Sequence, residues 1–464
     1  MAGPVTDLLG ASALAVGAAI REGEVSASEV LELHLDRIAD VNPRLNAIVT
    51  LCEDEARAAA AAADRATERG PLHGVPFTVK DSLATAGVRS TAGSRLLRDF
   101  VPTRDATVVA RLKSAGAILL GKTNCPEFAL DPITDNRLFG LTLNPVDETV
   151  TVGGSSGGDA AAVASDCAVF GIGSDYGGSI RWPAQCAGIA GMRPTPGLVP
   201  GTGGLPFPPG EELPAPSSVA LLARGQTIGP LARFVDDLWA VLRVLAGPDG
   251  IDPNTVPVPL SDPDTVDVRS LRCAWTDGEG TEPVHPDLVE AVERAAAALE
   301  ELGLAVEQRR PSGLERAIGI FRSYRVADGL PVHLEVARGR EEELAETMQS
   351  WSTTLGSPAT VEEYQRHGAA RDALRAEVLA FMESWPIVLL PVSTRPAFPL
   401  GSLDFAERFR NMAPSSAITL LGLPVVVVRV GSTRQGLPAG VQIVGRPFAD
   451  HEVLAVARRL EEAL

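Results

Sequence analysis

Residues 151–196, TVGGSSGGDAAAVASDCAVFGIGSDYGGSIRWPAQCAGIAGMRPTP, hold two glycine-flanked serines. Ser155 lies within Gly153-Gly154-Ser155-Ser156-Gly157-Gly158, and Ser179 within Gly177-Gly178-Ser179. Between them the small residues of 160–168 predict a tightly packing helix, and the apolar run 169–172 predicts a short strand. The chain must turn, run as helix, run as strand and turn again within this span, and each serine precedes a helix start. Glycine permits such turns because it accepts positive φ and lets other groups approach the backbone. A nucleophilic hydroxyl needs that setting: an exposed position on a sharp turn, with backbone N–H groups aimed at a developing oxyanion. Unpaired N–H groups and the dipole at a helix start favour negative charge in the same place. One Gly/Ser cluster ordinarily makes a turn and nothing more. Two uncharged clusters flanking a small-residue helix point to chemistry.

The rest of the chain alternates helical and strand-like patterns. Ser26-Ala27-Ser28-Glu29 reads as a capping box ahead of Val30, Leu31, Leu33, Leu35 and Ile38 at helical spacing. The alanine-rich run 56–69 predicts a helix stopped by Gly70 and Pro71. An apolar strand at 75–79 ends on Lys80, and a second at 117–120 is closed by Gly121. This alternation predicts an α/β fold around a largely parallel or mixed sheet. The Pro- and Gly-rich span 199–216 predicts a long ordered loop. Residues 251–386 read as a helical region beside the core, with helices at 286–302 and 341–350. Strand-like runs return at 387–390, 424–430 and 440–444.

Two uncharged stretches bear on the membrane question. Residues 8–20 follow Asp7 without a basic flank and are short for a span, so they read as a buried helix. Residues 411–428 are broken by Pro414 and Pro424, and 425–428 reads as a buried strand. The expectation is a soluble, cytoplasmic protein with no membrane contact.

Composition narrows the function further. With 464 residues, 45% of them hydrophobic, the chain can bury a sizeable core, which excludes disorder and a short binding module. A net charge of −18 argues against nucleic acid, whose phosphates are bound by Lys and Arg. The five cysteines are scattered with no C-x-x-C pair, and the six histidines include no H-x-x-x-H pair. Neither a disulfide framework nor a metal centre is expected.

A serine nucleophile requires a base, and no histidine occupies an obvious place for one. Lys80 does: an ammonium at the end of an apolar strand has its pKa lowered toward the working range. Alone it would read as a lysine snorkelling to solvent. Other motifs accompany it: Gly74-Val75-Pro76-Phe77-Thr78-Val79-Lys80-Asp81, Gly121-Lys122-Thr123-Asn124 with Pro126-Glu127-Phe128, and Gly153 to Gly158. Then come Asp175 with Gly177-Gly178-Ser179-Ile180-Arg181, Gly191-Met192-Arg193-Pro194-Thr195, Gly229-Pro230-Leu231-Ala232-Arg233, Gly436-Leu437-Pro438-Ala439-Gly440-Val441-Gln442 and Gly445-Arg446-Pro447. In this order and over most of the chain, they resemble the amidase signature family of Ser-cisSer-Lys hydrolases, including bacterial amidases and urethanases.

The resemblance implies an α/β/α sandwich with a large mixed central β-sheet covered by helices. It implies one domain over 1–464: a catalytic core at 70–245, the helical region 251–386 beside it, and 387–464 completing the core. By the same resemblance Ser179 is the nucleophile, Ser155 the proton relay after a cis peptide, and Lys80 the general base. The backbone N–H groups of Tyr176, Gly177, Gly178 and Ser179 would form the oxyanion hole. Asp175 and Arg181 would hold the turn, with Ser156 in support, and Asn124, Cys125, Pro126 and Gly154 would border the acyl pocket. Tyr176 stands where the family usually has a smaller residue, so its ring either narrows the acyl site, stacks on an aromatic substrate, or points away. No cofactor and no metal is implied. The substrate would be a small amide or carbamate, the pocket being shaped by 202–213 and 251–386, and a homodimer is the family-level expectation.

Two other readings compete. Gly153-Gly154-Ser155-Ser156-Gly157 satisfies G-x-S-x-G, so an α/β-hydrolase could use Ser155 with His451. There, however, Asp450 reads as a helix cap, and Lys80 and Ser179 would be idle. The family also includes the amidase subunit of the glutamine-dependent tRNA amidotransferase, which passes ammonia to a partner subunit.

Overall fold

The structure is a computed structural model that describes residues 8–207, 225–355 and 359–464. Of the loop expected at 199–216, residues 208–216 lie outside the described part, and with them much of the expected pocket loop 202–213.

Eleven strands form one mixed sheet among the described residues. In chain order they are β1 (Ile48–Leu51), β2 (Pro76–Lys80), β3 (Ile118–Thr123), β4 (Phe170–Asp175), β5 (Ala190–Arg193) and β6 (Thr227–Ala232). There follow β7 (Arg272–Trp275), β8 (Ala305–Gln308), β9 (Ile387–Pro391), β10 (Val425–Ser432) and β11 (Pro438–Val444). Across the sheet the order is β1-β3-β2-β4-β6-β5-β10-β11-β9-β7-β8. β2 runs parallel to both β3 and β4, while β4 to β6, β6 to β5, β5 to β10, β10 to β11 and β11 to β9 are antiparallel. The central strands are buried on both faces, as in a sheet covered by helices. Val425 to Val428 are at most 1% exposed, and every residue of β2 and β4 is buried. No described helix is long and apolar enough to cross a membrane.

Local chemistry places the elements, with some shifts from the sequence reading. The capping box forms as expected: Ser26 accepts from the Glu29 N–H, and Glu29 reaches back to the Ser26 N–H. The alanine-rich helix is Glu53–Arg65, with Glu53, Asp54 and Glu55 at its positive end. It stops before Gly70 because Arg69 folds back to satisfy the carbonyls of Asp64, Ala66 and Ile20. The small-residue helix is Gly157–Ala164. Asp166 ends it by adopting φ 63°, and the following strand starts at Phe170 and runs on to Asp175. Gly121 does not close its strand: β1 pairs alongside and β3 continues to Thr123. Pro414 does not break a helix but opens one, Ala413–Leu421, where its missing N–H has no partner to lose. In the same way the buried helix at 8–20 begins at Ala13, capped by the Ser12 side chain.

The span 251–386 is more than helical. The helix Pro286–Glu301 is there, and Glu346–Leu355 stands where 341–350 was expected, but β7 and β8 extend the main sheet at its edge through β9. Four-residue strands carry too little pattern to stand out between helices. Asp450 is not a cap either. It is the first residue of the helix Asp450–Ala463, and its carboxylate accepts the Thr195 N–H at 2.9 Å and the Thr195 hydroxyl at 2.6 Å.

Candidate active site

β2 and β4 are parallel neighbours, so their C-terminal ends emerge at the same edge of the sheet, where open α/β sheets place their ligands. Lys80 ends β2 and is fully buried. Its Nζ lies 2.7 Å from Ser155 Oγ, 3.0 Å from Ser174 Oγ and 3.5 Å from the Ser174 carbonyl. Burial pushes the Lys80 ammonium below the ordinary lysine range. Ser155, 1% exposed, follows a cis Gly154–Ser155 peptide.

Ser179 is half-buried and stands on the wall of a narrow pocket of about 40 Å³. The two glycine clusters meet here, because the Ser156 N–H donates to the Ser179 carbonyl at 3.0 Å. The Ser156 hydroxyl in turn accepts from the Ser174 N–H at 3.3 Å and donates to the Ser174 carbonyl at 3.4 Å. Gly178 precedes Ser179 with φ 118°, and a Cβ on it would sit 2.8 Å from Ser415 Cβ. Only glycine fits that turn.

Asp175 organises the turn from inside. It accepts from the N–H groups of Gly178 at 2.9 Å, Ile180 at 3.1 Å, Gly177 at 3.3 Å and Arg181 at 3.4 Å. The Arg181 guanidinium grips it twice, at 3.0 and 2.9 Å, and both side chains are fully buried. Burial alone would raise this carboxyl. The charges of Arg181 and Arg193 and the Gly178 N–H outweigh it and hold it well below the usual carboxylate range. The same contacts alter the expected oxyanion hole. Gly177 and Gly178 direct their N–H groups at Asp175, because a carboxylate beneath a turn competes for the same donors. The Ser179 N–H has no acceptor among the described residues.

The expected pocket border is only partly there. Gly154 lines the pocket; Asn124, Cys125 and Pro126 do not. Asn124 spends its amide on the Gly140 carbonyl at 3.0 Å and Thr142 Oγ1 at 2.9 Å, and accepts from Asn136 at 2.7 Å. Cys125 is fully buried, and burial pushes its thiol far up, so it is inert packing. The Tyr176 ring belongs to the pocket region, with the Arg325 guanidinium 5.2 Å from its centroid. Arg325 and Phe321, from the helix Ala317–Asp328, line the pocket with Phe409 and Met412. Sequence reasoning did not find them, since neither 251–386 nor the stretch that holds Phe409 and Met412 matched a motif. Asp131 also lines it, neutralised by Arg408 at 3.3 Å and hydrogen-bonded by Thr347 at 2.6 Å.

Among the described residues no three His, Cys, Asp or Glu side chains gather into a metal-binding group. His451, the base of the G-x-S-x-G reading, lies in the first turn of Asp450–Ala463, whereas Ser155 is bonded to Lys80. An unprotonated amine against a serine hydroxyl can take its proton, and a half-exposed serine on a glycine turn can meet a carbonyl carbon.

The chain is similar over nearly its whole length to proteins of one family. The model of the family described as Amidase matches residues 29–454. An indoleacetamide hydrolase of Bradyrhizobium diazoefficiens is 36% identical over 464 residues, covering 97% of this chain and 86% of that protein. A glutamyl-tRNA(Gln) amidotransferase subunit of Heliobacterium modesticaldum is 32% identical over 473 residues, covering 95% and 94%. A solved bacterial aryl acylamidase of the amidase signature enzymes superposes with a TM-score of 0.85 at 27% identity, covering 98% of this chain and 97% of its own. An α/β-hydrolase using Ser155 and His451 is thereby set aside.

Proposed function

The chain belongs to the amidase family, an amidohydrolase acting on amides, and from that premise we propose that it works through Ser179, Ser155 and Lys80. The observation that carries the proposal is the 2.7 Å contact between a fully buried Lys80 and Ser155, beside a half-exposed Ser179. Ser179 Oγ attacks the substrate carbonyl carbon while its proton passes to Ser155, whose own proton passes to Lys80. The oxyanion develops against the turn before Ser179, where the Ser179 N–H is the donor not already turned to Asp175, a well-placed N–H contributing on the order of 3 kcal/mol. As the C–N bond breaks, the proton returns from Lys80 through Ser155 to the leaving amine. Water then attacks the Ser179 ester by the same relay, releasing the acid and restoring the serine.

We extend the reading to carbamates as well as amides, since the same attack on a carbamate gives a carbamoyl-serine. The aromatic lining from Tyr176, Phe321 and Phe409 favours a small, flat acyl group. The test is intact-protein mass spectrometry after incubation with p-nitroanilides, aryl esters and aryl carbamates, with release of p-nitroaniline or phenol read in parallel. An acyl or carbamoyl adduct on Ser179 is expected. Near-normal turnover by Ser179→Ala would refute the assignment. A second reading, an ammonia-delivering amidotransferase subunit, rests on the similarity to the Heliobacterium modesticaldum protein over nearly the whole chain. Glutamine hydrolysis that depends on a stably copurifying partner would favour it.

A further inference from the structure

The helix Gly157–Ala164 carries one charged side chain, Asp159, and it faces inward and is fully buried. Its carboxylate accepts a hydrogen bond from Thr78 Oγ1 at 3.1 Å. Thr78 and Lys80 are two residues apart on β2, so they share one face of the sheet. Thr123 is the register partner of Lys80 on β3, and Gly171 that of Thr78 on β4. Room for Asp159 exists because residue 171 has no side chain: a Cβ there would sit 2.8 Å from Asp159 Cβ and 2.9 Å from Oδ1. The sheet is thus shaped to hold a carboxylate on the face that carries Lys80.

We propose that Asp159 is a positioning residue for hydrolysis, the buried counter-charge that holds the proton of Lys80 between turnovers. It touches neither Ser155 nor Ser179 and acts only through the lysine. The inference rests on the proposed role of Lys80 as base.

Asp159 and Asp175 are the carboxylates whose charges act on Lys80. Asp175, at the end of β4, is matched by Arg181 of the helix Arg181–Ala187. Cys125 beyond β3, Cys52 after β1 and Cys186 in Arg181–Ala187 are thiols whose pKa burial raises, so they stay neutral. β6 offers no titratable side chain. Lys122, paired with Val79, takes the Leu83 carbonyl and Thr85 Oγ1 as partners. Asp81, whose charge acts on Lys122, is held by the Thr91 N–H at 3.0 Å. Burial drives Lys80 down and Asp159 up, and each charge opposes the other's shift.

The experiment follows the rate at which a fluorophosphonate labels Ser179 in the full-length protein as pH is varied. The acid limb of that rate reports loss of the Lys80 proton. Asp159→Asn removes the counter-charge, so the limb should move to lower pH by about one unit, a rate about tenfold higher at pH values well below the midpoint. Thr78→Val keeps the carboxylate but removes its hydrogen bond and should move the limb the same way by less, which keeps the test open if Asp159→Asn does not fold. A limb unmoved in folded variants, with the rate lowered equally at every pH, would mean that Asp159 only packs, and would overturn the proposal while leaving the role of Lys80 standing. No labelling of Ser179 in the unmodified protein would overturn both.

Discussion

Replacing Asp175 by Asn tests whether one buried ion pair holds the turn at Ser179. The carboxylate is fully buried against an equally buried Arg181, accepts four backbone N–H groups of the turn, and has Arg193 at 3.7 Å. Asparagine keeps the shape and one acceptor oxygen, but turns an NH2 toward groups that are themselves donors. Two guanidinium charges then stay buried without their anion. Breaking such a pair from one side costs about 3–5 kcal/mol, a large fraction of a typical 5–15 kcal/mol total. The assay is urea unfolding followed by tryptophan fluorescence, to which the fully buried Trp182 next to the turn contributes. Asp175→Asn should lower the midpoint at unchanged slope and reduce Ser179 labelling at least tenfold. The double change Asp175→Leu with Arg181→Met should recover part of the stability, because no stranded charge remains between those two positions, without recovering the labelling. A loss below about 1 kcal/mol for Asp175→Asn would refute the reasoning. The pH dependence has a fixed sign. The folded carboxyl is held below its unfolded value of about 3.9, so its contribution is complete above that pH and is lost as pH falls below it. Acid unfolding of Asp175→Asn should lack that component.

Other outcomes follow from the same geometry. Lys80→Met should lower turnover by at least about 100-fold while the circular dichroism spectrum stays native; turnover preserved in the folded variant would reverse the assignment. Ser155→Ala should also lose turnover by orders of magnitude while keeping its circular dichroism spectrum. Gly178→Ala forces a side chain into φ 118° and against Ser415, so it should cost about 2–4 kcal/mol and most of the Ser179 labelling; a neutral effect in melting experiments would show the turn to be softer than the contacts imply.

Much of the candidate site is legible in the sequence. Ser155 and Ser179 announce themselves through glycine, because the turn they need excludes side chains, and Lys80 stands out as a charge at the end of an apolar strand. Element types were equally readable where capping chemistry is strong, as at Ser26 with Glu29, or where an apolar run has no other use, as at 425–428. End points were less so. Arg69 and Asp166 set where two helices stop through a folded-back side chain and a left-handed residue, and neither leaves a pattern in composition.

The pocket depends on long-range packing. Arg325 and Phe321 from one helix, and Met412 from the turn between two others, reach the pocket from more than a hundred residues away in the chain, through contacts that no local spacing encodes. Asn124 shows the converse: its motif position suggested a pocket wall, but Gly140, Thr142 and Asn136 draw its side chain elsewhere. The competition between Asp175 and an oxyanion for the same N–H groups is also a matter of distance, at 2.9 and 3.3 Å. Local sequence could specify turns, caps and the chemical type of the reacting groups, because backbone freedom and side-chain chemistry are properties of single residues and near neighbours. Which donors point where, and which distant side chains close the pocket, had to await the packing of strands and helices, because hydrogen bonds and van der Waals contacts act over a few ångströms whatever the separation along the chain.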